Sequence, residues 1–345
     1  MELAKNFQKY FSIENPKKII KSLEKNDYTN DKYEWIVLEK IHGANFSFIT
    51  NGETIYAAKR TAIIQPGEYF YDYESIVEKY KEDVFKVYNE IFYKTKNIMS
   101  IQIFGELFGG LYPNYNDKKI NPIQTGIYYN PKIDFMVFDI KINYLTDNFN
   151  VQNDKSEFLS HDEVLFYLST TKFKHVPIIG RGQFNDIIKM EPVFFTQVPG
   201  VYELPHVDNN YAEGYIFKLN ARHSCDTLRP IIKSKNDTLF GEIHNQKKIF
   251  LEKNTSDNNI FVEEIKDYLT KNRFDGLIGK IGPDNKTPKI IGCFIADALN
   301  DYESSLEYEK MTFYKKFRKN IFSNLTNYIN NNNEMMSWIN QIKYK

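Results

Sequence analysis

The chain has 345 residues, with 45 basic and 45 acidic side chains and a formal net charge of zero. That length allows one large domain and a smaller companion, and 42% hydrophobic residues exclude a disordered polyelectrolyte. Balanced charge excludes a global pull on polyanions, leaving local basic grooves for any nucleic-acid binding, while two cysteines exclude a disulfide framework and a paired-cysteine zinc site.

The first residues, MELAKNFQKYF, are charged throughout and carry no apolar stretch of signal or membrane length. A cytoplasmic protein with no membrane contact is expected. Residues 34–38 (EWIVL) and 45–49 (NFSFI) read as short strands flanking Lys40. Asn51-Gly52 is a tight-turn signal leading into a third strand over 53–58, so an antiparallel meander with the lysine at a strand end is expected. Tyr73, Ile76, Tyr80, Val84, Val87 and Ile91 recur at helical spacing and predict an amphipathic helix over 72–92. Strands resume at 99–104 (MSIQIF) and 135–140 (FMVFDI), separated by a polar, Asn-rich segment over 112–132 that reads as a surface loop. Residues 162–170 read as a helix, and 213–219 (EGYIFKL) and 230–235 (PIIKSK) as strands. Phe313, Phe317, Ile321, Leu325, Tyr328 and Ile329 then mark one helical stripe, and Met335, Trp338, Ile339 and Ile342 a last short helix. The pattern predicts an α+β domain of antiparallel sheets over 1–240, a polar linker over 241–248 and a helical C-terminal domain over 249–345.

Within this frame Glu39-Lys40-Ile41-His42-Gly43-Ala44-Asn45 has the layout of a covalent nucleophile on a tight turn. An amine attacking the α-phosphorus of a nucleoside triphosphate must be uncharged, which nearby cations or partial burial favour. Lys233 and Lys235 alternate on a strand and so share a face. There they can act on Lys40 and neutralise charge building on phosphorus. A divalent metal would serve the same end, held by water and by a carboxylate such as Glu213. Gly43 lets the chain turn sharply, and Asn45 can donate to a phosphate or ribose oxygen. Alone, Lys-x-x-Gly-x-Asn arises often by chance, and two alternating lysines are more often a solvated strand face.

Six segments in order carry a resemblance: EKIHGANF at 39–46, AKR at 58–60, FGELFGG at 104–110, FMVFDI at 135–140, AEGYIFK at 212–218 and IIKSK at 231–235. Together they resemble the nucleotidyltransferase motifs of the RNA ligase 2 family, the double-strand-preferring phage and viral type related to kinetoplastid RNA-editing ligases. YFSIEN at 10–15 and IIGRGQF at 178–184 resemble further family segments, and NRFDGLIGKIG at 272–282 resembles the helical domain of phage RNA ligase 2.

The resemblance implies ATP as cofactor with Mg2+ or Mn2+, lysyl-AMP at Lys40, and RNA carrying 3′-OH and 5′-phosphate ends as substrate, handled by a monomer. It implies that Glu106 accepts from the ribose hydroxyls and that Phe138 stacks on adenine, although periodicity alone does not separate Phe138 from Phe135. Glu39, Ile41, Asn45, Lys59 and Arg60 fall at nucleotide- or phosphate-contacting positions. Glu213 and Lys218 match one motif, with Glu213 on the metal side; Lys233 and Lys235 match the pair at the α-phosphate. Tyr10, Gln124, Asp162 and Arg181 match accessory positions for nucleotide or 5′-phosphate handling, against surface packing and a salt bridge as ordinary uses of Tyr10 and Arg181. The chain departs from the family at Leu38, where an arginine is common. Arg273 and Lys280 suggest that the C-terminal part clamps duplex RNA by backbone shape. A DNA ligase or capping-type nucleotidyltransferase is the first alternative, and a catalytically weak RNA-end-binding protein the second.

Overall fold

The computed structural model describes residues 3–115, 120–145, 155–236, 259–282, 285–305 and 308–342. The expected linker at 241–248 lies outside the described residues. The strands in chain order are β1 (Trp35–Glu39), β2 (Ala44–Thr50), β3 (Ile55–Lys59), β4 (Ala62–Ile63), β5 (Ile98–Leu111) and β6 (Asn130–Tyr144). They continue as β7 (Ser156–Phe158), β8 (Lys174–His175), β9 (Ile178–Gly182), β10 (Gly214–Leu219), β11 (His223–Ser224) and β12 (Ile231–Lys235). They form two sheets, a four-stranded β12-β10-β1-β9 and an eight-stranded β11-β7-β6-β5-β2-β3-β4 in which β8 joins the edge of β6 in parallel. The fold is α+β and its named strand pairs are otherwise antiparallel, as the hydrophobic pattern led us to expect.

The expected meander is corrected at one point. β1 and β2 do not pair with each other; each enters a different sheet, so residues 40–43 are a crossing from one sheet to the other. Every residue of β1 is buried, which suits a central strand covered on both faces. The hairpin of β2 and β3 does turn at Asn51-Gly52, where Asn51 Oδ1 accepts from the Glu53 and Thr54 amides.

β5 and β6 run to 14 and 15 residues, well past the segments expected from the apolar runs. Their register carries a bulge: Phe104 faces Asp139 and Gly105 faces Val137, leaving Phe138 as the extra residue. The amphipathic helix is Tyr73–Lys94, with Ile76, Tyr80, Val84, Val87 and Ile91 buried. A capping box of Ser160 and Glu163 opens the helix His161–Leu168.

The chain divides into two compact units, one of residues 1–68 and 72–236, the other of 69–71 and 237–345. In the second, helices Asn259–Lys266, Lys271–Ile281, Thr287–Ser305, Tyr308–Asn331 and Asn333–Ile342 bury one core. Ile321, Leu325 and Ile329 of the expected stripe lie inside it, with Phe317 and Tyr328 packed against it; the Phe313 side chain lies outside the described set. Arg273, expected to help clamp RNA, is an internal tie of this unit. Its guanidinium donates to Asp297 at 2.7 Å and Asp301 at 2.6 Å, both on Thr287–Ser305.

Candidate active site

Lys40 directly follows β1, and its amide donates to the Gly214 carbonyl at 2.9 Å. That bond sets the start of the crossing against the start of β10 and places Lys40 Nζ 2.6 Å from Glu213 Oε2. On the other carboxylate oxygen, Lys235 Nζ lies 3.4 Å from Oε1, and His42 Nδ1 lies 3.5 Å from Oε2. Glu213 is buried, which pushes its carboxyl up. The Lys40 charge, then His42 and Lys235, outweigh that and hold it well below the usual carboxylate range. The two lysines expected to lie together are therefore joined through one shared anion.

Glycine makes both strand ends close enough. A Cβ at Gly214 would fall 2.1 Å from the Ser234 carbonyl oxygen, so β12 can lie where Lys235 reaches Glu213 only if position 214 is bare. A Cβ at Gly43 would fall 2.1 Å from the Leu107 carbonyl oxygen and 2.8 Å from Glu106 Cγ. Gly43 thus serves close approach to β5 and, as expected, sits where the chain bends, with a φ that is not positive.

Asn45 and Glu106 sit opposite each other in the β2–β5 register, so they project from the same face of the sheet. Gln124 Nε2 donates to the Gly43 carbonyl at 3.5 Å, and the His42 amide donates to the Tyr129 hydroxyl at 2.9 Å. Lys233 lies opposite Ile216 and shares the face of Lys235. Ile41 is buried, and Leu38 is an apolar strand residue between Ile216 and Ile178. Phe135 is in the core against Phe46 and Phe48, whereas the bulged Phe138 is half-buried. Of the two rings, Phe138 is the more exposed.

Several expected site residues are held elsewhere. The Glu39 carboxylate turns away from Glu213, accepting from the Thr196 hydroxyl and from the Gln197 amide at 2.8 Å. Burial raises its pKa to about 7 against those two bonds. Its side chain thus ties the end of β1 to the 196–197 segment. Lys59 pairs with Glu68, and Arg60 donates to Ser12 Oγ at 2.7 Å and the Tyr10 carbonyl at 3.4 Å. Arg181 bonds Asp162 at 2.6 Å and Glu34 at 3.1 Å, with Asn220 donating to both carboxylates. Asp162 and Arg181 thus meet as an exposed ion pair, the ordinary use weighed for Arg181.

Tyr10 and Lys218 enter a buried network absent from the sequence reading. Asp139 accepts from the Tyr10 hydroxyl at 2.6 Å, from Arg229 at 2.6 Å and from Lys218. Burial pushes Asp139 up, but Arg229 and then Lys218 hold it at about 2. The Tyr10 hydroxyl is enclosed rather than on the surface, and burial and Asp139 keep it neutral. One signal for this network was legible, the charge of Asp139 inside the apolar run FMVFDI, since a buried carboxylate needs a partner.

The family model described as RNA ligase matches residues 33–235, and that described as T4 RNA ligase 2 C-terminal matches 252–332. The chain is 26% identical over 262 residues to RNA-editing ligase 2, mitochondrial, of Trypanosoma brucei brucei, covering 69% of this chain and 61% of that protein. It is 26% identical over 245 residues to RNA-editing ligase 1, mitochondrial, of the same organism, covering 62% and 50%. It therefore spans between half and two thirds of the length of these relatives. A solved Naegleria gruberi RNA ligase mutant with ATP and Mn aligns at 14% identity and a TM-score of 0.43, over 67% of this chain and 56% of that one.

Proposed function

The chain belongs to the RNA ligase family, and on that premise we propose that it is an ATP-dependent RNA ligase that joins 3′-OH and 5′-phosphate ends, at nicks in duplex RNA. Lys40 Nζ attacks the α-phosphorus, a P–N bond forms and pyrophosphate leaves. AMP then passes to the RNA 5′-phosphate, and the 3′-OH displaces it. Every step is phosphoryl transfer, in which alignment and charge neutralisation carry the rate. The observation that carries the reading is the Glu213 carboxylate shared by Lys40 and Lys235, which sets the amine beside a second cation at the end of β12.

In this reading Glu106 and Asn45 face the nucleotide from the eight-stranded sheet, the half-buried Phe138 ring meets the base, and Lys233 and Lys235 meet the phosphates. Among the described residues no three His, Cys, Asp or Glu side chains form a metal cage. That fits Mg2+ or Mn2+ bound by one carboxylate, water and phosphates. Glu213 would hold the ion, which when bound neutralises phosphate charge. Residues 1–240 would form the adenylyltransferase domain and 249–345 a helical domain that grips duplex RNA, the whole acting as a cytoplasmic monomer.

The test is incubation with α-labelled ATP or GTP and Mg2+ or Mn2+, followed by acid treatment. ATP alone should leave an acid-labile adduct, absent in Lys40→Ala. An adduct from GTP but not ATP would favour a capping-type enzyme, and no adduct would remove the ligase reading.

A further inference from the structure

Arg229 has no part in the three chemical steps, yet its guanidinium is held on every side. It precedes Pro230 and β12 and is buried. One NH2 donates to Asp139 Oδ1 at 2.6 Å, the other donates to the Tyr10 hydroxyl at 3.2 Å, and the guanidinium carbon lies 3.7 Å from the Phe158 ring centroid. A planar fork that bonds two groups while stacking on an aromatic face is a geometry lysine does not reproduce. Both of its bonded partners adjoin the bulged Phe138. Asp139 is the next residue in β6, and the Tyr10 ring meets the Phe138 ring edge-on at 5.0 Å between centroids. Asp139 Oδ1 also accepts from Lys218, so the same guanidinium shares the carboxylate that anchors that ammonium.

We propose that Arg229 is a positioning residue for nucleotide binding: through Asp139 and Tyr10 it fixes the Phe138 ring that meets the base, without itself touching the nucleotide. The proposal rests on the adenylyltransferase reading and deepens it. A bulged residue lacks ladder bonds to hold its side chain, so its orientation depends on such neighbours. Loss of Arg229 therefore weakens capture of the nucleotide, while Lys40, Glu213 and Lys235 keep their arrangement for the chemistry.

The experiment measures equilibrium ATP binding, and the ATP dependence of lysyl-adenylate formation, for wild type, Arg229→Met and Arg229→Lys. Thermal unfolding is followed alongside. In Arg229→Met both Kd and KM for ATP should rise about tenfold or more, with the rate at saturating ATP within about threefold of wild type. Arg229→Lys should recover only a minor part of the loss, because an ammonium cannot bond Asp139 and Tyr10 at once while stacking on Phe158. An unchanged KM in folded Arg229→Met, a loss confined to the saturating rate, or full recovery in Arg229→Lys would each overturn the proposal. Should Arg229→Met fail to fold, Arg229→Lys, which keeps a charge beside Asp139, carries the comparison. A wild type that binds ATP but forms no adduct removes the ligase reading and leaves Kd to decide on Arg229; one that neither binds nor reacts removes both.

Discussion

Two buried carboxylates adjoin Lys40, and their neighbours drive their acidities in opposite directions. Glu213 is anionic because it faces Lys40, His42 and Lys235; Glu39, one residue from Lys40, faces a hydroxyl and one amide and is raised from 4.5 to about 7. A folded pKa above the unfolded one means that the folded chain keeps a proton that the unfolded chain releases. The stabilisation is complete below pH 4.5 and is lost as pH rises through about 7. Glu39→Gln can accept from the Gln197 amide and donate to Thr196 Oγ without ionising. It should be more stable than wild type by about 3 kcal/mol near pH 8, and equal to it near pH 4. Urea unfolding of both proteins across that range checks this, and parallel pH profiles would refute it. Nothing in the sequence could show which way either carboxylate points. Lys40, Glu213 and Lys235 were legible because their spacing from strand ends is short, whereas Arg229 stands alone in a loop and meets Asp139 from 90 positions along the chain.

At the scale of elements, period-two runs located most strands, but not their lengths or their partners. β5 extends past the expected 99–104 through FGELFGG, because its long pairing with β6 absorbs the glycines at register shifts. The sheet change at 40–43 left no trace in the pattern, since buried strands look alike whichever sheet they enter. This crossing makes the site, because it sets Lys40 against β10 and Gly43 against β5. Closeness of β12 to β10 is the third requirement. Gly214→Ala would put a methyl 2.1 Å from the Ser234 oxygen and 2.8 Å from Lys235 Cα, both backbone atoms with no flexible tail to yield. The strand end must part, and Lys235 leaves Glu213. Lysyl-adenylate formation should fall about a hundredfold, with a loss of about 2 kcal/mol in stability. A variant of wild-type activity would show that the Lys235–Glu213 approach is dispensable.

At the scale of the whole molecule, the groups assigned to adenylyl transfer all belong to the unit of residues 1–68 and 72–236, and the helices after 258 have their own core. With Arg273 committed to Asp297 and Asp301, a grip on RNA by the helical unit must use other cations, and Lys280 is exposed. A fragment ending at Asn236 should therefore still take up AMP, within about threefold of the full chain, yet lose sealing of a phosphorylated nick by about a hundredfold or more. Tyr69–Tyr71 group with the helices: Tyr71 donates to the Gly276 carbonyl at 3.3 Å, and its ring fills the space a Cβ at Gly279 would need. Cutting at Asn236 strips cover from Phe70 and Tyr71, so the fragment is run beside a Phe70→Ser/Tyr71→Ser version to separate aggregation from catalytic loss. A fragment that seals nicks as well as the full chain makes the helical unit a scaffold only. A folded fragment that takes up no AMP breaks the division of labour at its other end, placing part of the nucleotide chemistry beyond Asn236.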